Sequence, residues 1–129
     1  MEKDVNKTAG SADGQNHPVN ETEKSKVHIV VEVIEYMPNA VVSKSIIKKS
    51  SGNVTITSFD EDEELAEKKS ASDTYVQIID GAAEVIINDK KYQLKLGDGI
   101  VVPANAPYSI NAPEKFKMIS TVIKNTADV

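Results

Sequence analysis

There is no cysteine, no tryptophan and no arginine among the 129 residues. Without a thiol the chain holds no disulfide, no thiolate metal site, no iron–sulfur cluster and no cysteine nucleophile, so zinc fingers and thiol enzymes are excluded. Every basic residue is a lysine and the formal net charge is −5. With no guanidinium fork to grip phosphate or base edges, and an acidic balance, nucleic acid is not an expected partner. No run approaches the roughly 20 consecutive apolar residues of a membrane helix, and the N-terminal stretch lacks the apolar centre of a signal peptide. A cytoplasmic protein with no membrane partner is the expectation. Aromatic residues make up only 5% of the chain. The length suits one domain with a single core.

What is present divides at about residue 25. Residues 1 to 25 mix both charge signs with Gly, Ser, Asn and Pro and offer almost nothing to bury, which reads as a disordered tail. His17, in that tail, has no partner ligands around it and reads as solvated. The globular part, residues 26 to 129, is a succession of short apolar runs separated by turn residues, an all-β pattern. Val27 to Met37 is nearly continuously apolar and ends at Pro38-Asn39. It is ambiguous between an edge strand and a helix, and either form would suit an interface. His28 lies in this run and reads as a core or interface histidine. Strands are then predicted over Val41 to Ile47, Asn53 to Phe59, Tyr75 to Ile79, Ala82 to Ile87, Tyr92 to Leu96, Ile100 to Val102, Tyr108 to Ile110 and Phe116 to Lys124. Asn88-Asp89 supplies a tight hairpin turn, and Asp80-Gly81 and Gly97-Asp98-Gly99 supply positive φ where strands leave or enter a sheet. The acidic run Asp60 to Glu64 lacks the ligand spacing of a calcium loop, and together with Lys68-Lys69 it reads as a solvated connection. Many short, closely spaced strands point to a sandwich or barrel.

Three segments carry more than a general pattern: Ser72 to Val85 (SDTYVQIIDGAAEV), Leu94 to Tyr108 (LKLGDGIVVPANAPY) and Glu114 to Met118 (EKFKM). In these the stretch Val41 to Ile123 resembles the small single-domain cupins of bacteria. The resemblance implies a double-stranded β-helix, or jelly-roll barrel, and a pair of barrels forming a homodimer. The family's first motif is G-x5-H-x-H-x3,4-E-x6-G. Counted back from Gly81, it places the glutamate at Thr74, the histidines at Ser70 and Lys68 and the opening glycine at Asp62. The second, G-x5-P-x-G-x2-H-x3-N, begins at Gly97, keeps Pro103, and sets Asn105 at the glycine, Tyr108 at the histidine and Ala112 at the asparagine. Residues that shape turns are partly kept, while all four positions that hold the divalent metal in metal-binding members carry other side chains. A lysine cation, two neutral hydroxyls and a phenol make a poor metal set. No metal and no cofactor are expected.

Strand alternation turns Thr74, Val76 and Ile78 to the barrel interior and Tyr75 and Gln77 away from it. It groups Tyr108 with Ile110, and Phe116 with Met118 and Ser120. The expected ligand-binding set is therefore Lys68, Ser70, Thr74, Tyr108, Phe116 and Met118, an apolar cavity with converging polar groups at one end. An inward Lys68 ammonium would hold a carboxylate or enolate, with the Tyr108 hydroxyl as a second donor; an outward one would simply be solvated. Three functions compete. The first is a metal-independent sensor or carrier of a small, anionic metabolite. The second is an enzyme of the dioxygenase, isomerase or lyase kind, with an unorthodox metal set or with Lys68 and Tyr108 acting directly. The third is an interaction module whose barrel is plugged by side chains.

Overall fold

The computed structural model describes residues 21–124. Nine strands among these residues follow in the order β1 (Val41–Lys49), β2 (Gly52–Phe59), β3 (Glu64–Lys68), β4 (Asp73–Asp80), β5 (Ala82–Ile87), β6 (Lys90–Lys95), β7 (Gly99–Val102), β8 (Tyr108–Asn111) and β9 (Phe116–Ile123). They build a five-stranded sheet, β1-β2-β9-β4-β7, and a four-stranded sheet, β3-β8-β5-β6. All pairings are antiparallel. Among the described residues no helix is long and apolar enough to cross a membrane.

Local chemistry explains the junctions. Between β5 and β6, Asn88 and Asp89 take φ of 51° and 68°, the two successive positive values that a two-residue hairpin of matching twist demands. The chain passes from the five-stranded to the four-stranded sheet at Gly81, whose φ is 72°. A Cβ there would sit 2.1 Å from the Lys115 carbonyl oxygen and 2.9 Å from Phe116 Cα, so the crossing needs glycine for space as well as conformation. The Gly97-Asp98 turn is tied to β4 by two bonds: Gly97 N–H donates to the Ile78 carbonyl (3.0 Å) and Ile78 N–H to that of Asp98 (2.9 Å).

The main core lies between the sheets. On β4, Thr74, Val76 and Ile78 are buried while Tyr75 is 43% exposed, as the alternation required. Val85 and Ile110 oppose each other on β5 and β8 and are fully buried. At one end Phe59 and Phe116, paired across β2 and β9, stack with ring centroids 4.5 Å apart and an interplanar angle of 11°. A stacked aromatic pair of this kind adds about 1 kcal/mol to what its burial contributes, and it closes that end of the barrel.

Two elements differ from the sequence reading. Glu64–Lys68 is a strand, pairing Leu65 with Ile110 and Lys68 with Tyr108 across to β8. It sits at the edge of its sheet, where only Leu65 is drawn inward, and a charged edge strand has the composition of a loop. The apolar run 27–37, in turn, is neither a strand nor an α-helix. Its regular part is one 3-10 turn, Val30–Glu32.

That segment is an arm laid over the outer face of the five-stranded sheet. Ile34 and Ile56 are buried there, 5% and 0% exposed, outside the main core. Polar groups fasten the arm: Ser58 Oγ donates to the Glu35 carbonyl (2.9 Å), Tyr36 Oη to Asp80 Oδ2 (2.7 Å), and Lys117 Nζ to the Val31 carbonyl. The Lys115 and Lys117 ammonium groups lie 5.1 and 4.9 Å from the Tyr36 ring centroid. At its start Thr22 N–H donates to the Ile46 carbonyl (3.2 Å) and Lys48 N–H to the Glu21 carboxylate. The boundary expected near residue 25 therefore falls within the arm, which is already engaged at Glu21. The rest of the expected tail, His17 included, lies outside the described residues.

Candidate functional site

A cavity of about 320 Å³ lies between the two sheets, lined from β1, β2, β3, β4, β8 and β9. Four of the six expected ligand-binding residues line it: Lys68, Thr74, Tyr108 and Met118. Lys68 and Tyr108 are cross-strand partners, and the ammonium lies 6.0 Å from the phenol ring centroid. Lys68 is exposed yet lines the cavity, so its charge stands at the mouth, over the aromatic face. Tyr108 is 6% exposed. Its burial pushes the phenol above its usual range and keeps it a neutral hydroxyl.

Ser70 and Phe116 lie elsewhere. Ser70 Oγ accepts the Ser72 N–H at 3.1 Å and its carbonyl accepts the Asn105 N–H, which makes it a loop-forming residue after β3. Phe116 is spent in the stack with Phe59, and only Phe59 reaches the cavity wall.

Sequence reasoning grouped Ser120 with Met118 on the interior face but missed the rest of the opposite wall. Ser43, Asn53, Thr55, Thr57 and Ser120 all line the cavity, from β1, β2 and β9. The registers Ser43↔Thr57, Thr57↔Met118 and Thr55↔Ser120 place them on adjacent rungs of one sheet face. The available signal was the period-two spacing of Asn53, Thr55 and Thr57. It does not decide the face, because the alternate residue Ile56 is buried too, beneath the arm.

The backbone preserves all four glycine positions of the two motifs. Gly81 and Gly97 have φ of 72° and 91°, and Asp62 and Asn105, standing where the other two glycines belong, have φ of 71° and 67°. Asp and Asn are the side chains that tolerate this region best. The turns thus keep their shape with two glycines gone, which supports the count that places Lys68, Ser70, Thr74 and Tyr108 at the metal-ligand positions.

Those four residues do not fit a metal ion. Lys68 brings a cation, Tyr108 is held as a neutral phenol, Ser70 is turned into its own loop, and Thr74 offers one neutral hydroxyl. Among the described residues no group of three or more His, Asp or Glu is placed to hold one elsewhere.

Solved structures provide the comparison. A conserved protein of unknown function from Streptococcus pyogenes superposes with a TM-score of 0.78 at 27% identity, over 87% of this chain and 98% of that one. A cupin superfamily protein from Desulfitobacterium hafniense gives 0.77 at 23% identity, over 84% and 100%. Its fold is that of the cupin superfamily. A cupin 2 conserved barrel domain protein from Leptotrichia buccalis reaches 34% identity and a TM-score of 0.71 over 73% of this chain, which spans 46% of that protein. No protein-family model and no curated protein matches the sequence.

Proposed function

We propose that this cupin binds a small anionic molecule inside its barrel, without a metal ion, as a sensor or carrier. The observation that carries the reading is the placement of Lys68 over Tyr108 at the mouth of a cavity that Thr74 also lines. An ammonium there would do for a carboxylate what a divalent ion does in a metal-binding barrel: supply positive charge at the end of an otherwise uncharged pocket. The Tyr108 hydroxyl, kept protonated by burial, is a second donor. A cavity of about 320 Å³ argues against a barrel plugged by its own side chains. It falls at the lower end of the range for small-molecule sites.

The test is calorimetric titration of the full chain with simple monocarboxylates in metal-free buffer. Saturable binding that survives a chelator and weakens in Lys68→Met supports the reading; binding that appears only when a divalent metal is added overturns it.

The expected macromolecular partner is a second copy of the chain. Val27 and Ile29, 98% and 61% exposed on the arm, leave apolar surface that a homodimer contact would cover. Sedimentation velocity at micromolar concentration decides it: a dimer supports the assignment and a monomer removes it.

A further inference from the structure

We propose that the molecule this cavity takes is a polyhydroxylated carboxylate, of the chemical class of a sugar acid. The inference rests on the anion-binding reading above and adds to it the composition of the far wall. Both sheets bring polar and apolar side chains to the cavity. From the four-stranded sheet come Leu65 and Ile110, with Tyr108 and the Lys68 ammonium at the mouth. From the five-stranded sheet come hydroxyls on four strands, Ser43 on β1, Thr55 and Thr57 on β2, Ser120 on β9 and Thr74 on β4, with the Asn53 amide beside them and apolar side chains such as Val76, Met118 and Val122 between them.

A wall of this kind has hydrogen-bonding capacity in both directions, since each hydroxyl offers one donor and two acceptor positions. Bonds inside the wall use only part of it. Ser43 and Thr57 share one at 3.0 Å, and Thr55 donates to Asn53 Oδ1 at a long 3.4 Å. Among the described residues the one buried side-chain polar atom without a partner is Thr22 Oγ1, which does not line the cavity. The unused valences of the wall are therefore not sealed in protein but open to the cavity.

An aliphatic acid laid against this face would displace water from the hydroxyls and leave them unpaired, which costs affinity. A ligand whose own carbon chain carries hydroxyls repairs each loss, because an alcohol donates and accepts just as the wall does. Its apolar C–H side would rest on Leu65 and Ile110, and its carboxylate would meet Lys68 and Tyr108. Sites built to bond substrate hydroxyls discriminate strongly against analogues that lack them. Charge at one end and hydroxyls along one side thus select the same molecule.

The experiment titrates the full chain by calorimetry with D-gluconate, with hexanoate, which keeps the carboxylate and loses the hydroxyls, and with sorbitol, which does the reverse. The proposal expects gluconate to bind at least about tenfold tighter than either. It also expects Thr55→Val and Ser120→Ala each to weaken gluconate and to strengthen hexanoate, which no longer leaves that hydroxyl unpaired, and Lys68→Met to weaken both acids. Hexanoate binding as tightly as gluconate overturns the polyhydroxylated class and leaves the anion-binding reading standing. Sorbitol binding as tightly as gluconate overturns the role of the carboxylate in both. Failure of all three at millimolar concentration, with a native circular dichroism melt, overturns both as well.

Discussion

Lys68 and Tyr108 face each other across the β3–β8 pair, with the ammonium 6.0 Å from the ring centroid at the mouth of the barrel cavity. The motif resemblance counts these two positions as histidine sites. Here they set a lysine side chain over a buried phenol, the pair on which the proposed binding site rests.

The first prediction follows from that pair. Because Lys68 is exposed, Lys68→Met should change the unfolding free energy by no more than about 0.5 kcal/mol, as surface changes usually do, and so barely move the melting temperature. Carboxylate affinity should fall by about tenfold or more, the loss of a charge-assisted contact. Thermal melts and calorimetry on the one variant separate the two effects.

Tyr108 and Tyr36 set the alkaline limit of stability. Burial raises the Tyr108 phenol; burial first, then the hydrogen bond to Asp80, then the charges of Asp80 and Glu114 raise that of Tyr36. Both folded-state values lie above the ordinary phenol range, so folding favours the protonated form. The stability they contribute is intact below about pH 10 and is lost as pH rises through the folded values. Urea unfolding between pH 8 and 11 should show a downward slope that Tyr36→Phe makes shallower, although that variant starts from a lower plateau because its bond to Asp80 is gone. An unchanged slope in that variant would contradict the assignment.

On the acid side the sign reverses. Hydrogen bonds from Asn111 and then Gln93 lower the Glu84 carboxyl, and the Asn39 and then the Glu61 backbone N–H lower that of Asp60. Their stabilising effect is present above the ordinary carboxylate range and disappears as pH falls through the lowered values. Both groups lie at the surface, so the effect is small, and Glu84→Gln should flatten it further. Melting temperatures across pH 2.5 to 6 for wild type and variant make the comparison.

The glycine positions give a backbone test. Gly81→Ala meets a positive φ and a backbone oxygen at 2.1 Å from the new Cβ, and should lose about 3 kcal/mol or fail to fold. Asn105, at φ 67°, should tolerate glycine with almost no loss and alanine with a loss of about 1 kcal/mol. If alanine at 105 proved as stable as glycine, the left-handed turn there would be wrong.

The arm is a structural part of the barrel in this account. Ile34→Ala should cost about 2–4 kcal/mol, the usual range for emptying a buried aliphatic site, because Ile34 is 5% exposed on the outer sheet face. Denaturant unfolding measures it; a loss below about 1 kcal/mol would mean that the arm contributes little.

How far the sequence could be read depended on which face of each strand was covered. β4 was legible because Thr74, Val76 and Ile78 alternate with the outward Tyr75, and the Asn88-Asp89 hairpin because its turn residues admit few conformations. β3 was not, since an edge strand with one inward aliphatic residue, Leu65, looks like the loop its charges suggest. On β2 both faces are covered, one by the opposite sheet and one by the arm, so alternation alone does not tell which of Ile56 and the pair Thr55 and Thr57 faces the barrel. Of the candidate site, strand alternation turned Thr74 to the interior and grouped Tyr108 with Ile110, and all three line the cavity, whereas Lys68 was placed by the motif count alone, on a strand the alternation did not find. Ser70 follows the end of β3, where a bulge separates the Leu65 and Lys68 pairings, and strand alternation says nothing of its direction.

The central claim is a barrel whose cation is a lysine, and elemental analysis tests it most directly. The purified chain would be equilibrated with iron, manganese, nickel, copper and zinc, desalted, and measured for retained metal. The account predicts none, with carboxylate binding unaffected by the treatment. One tightly held metal per chain, lost in Tyr108→Phe or Thr74→Val, would contradict it and return the site to metal chemistry.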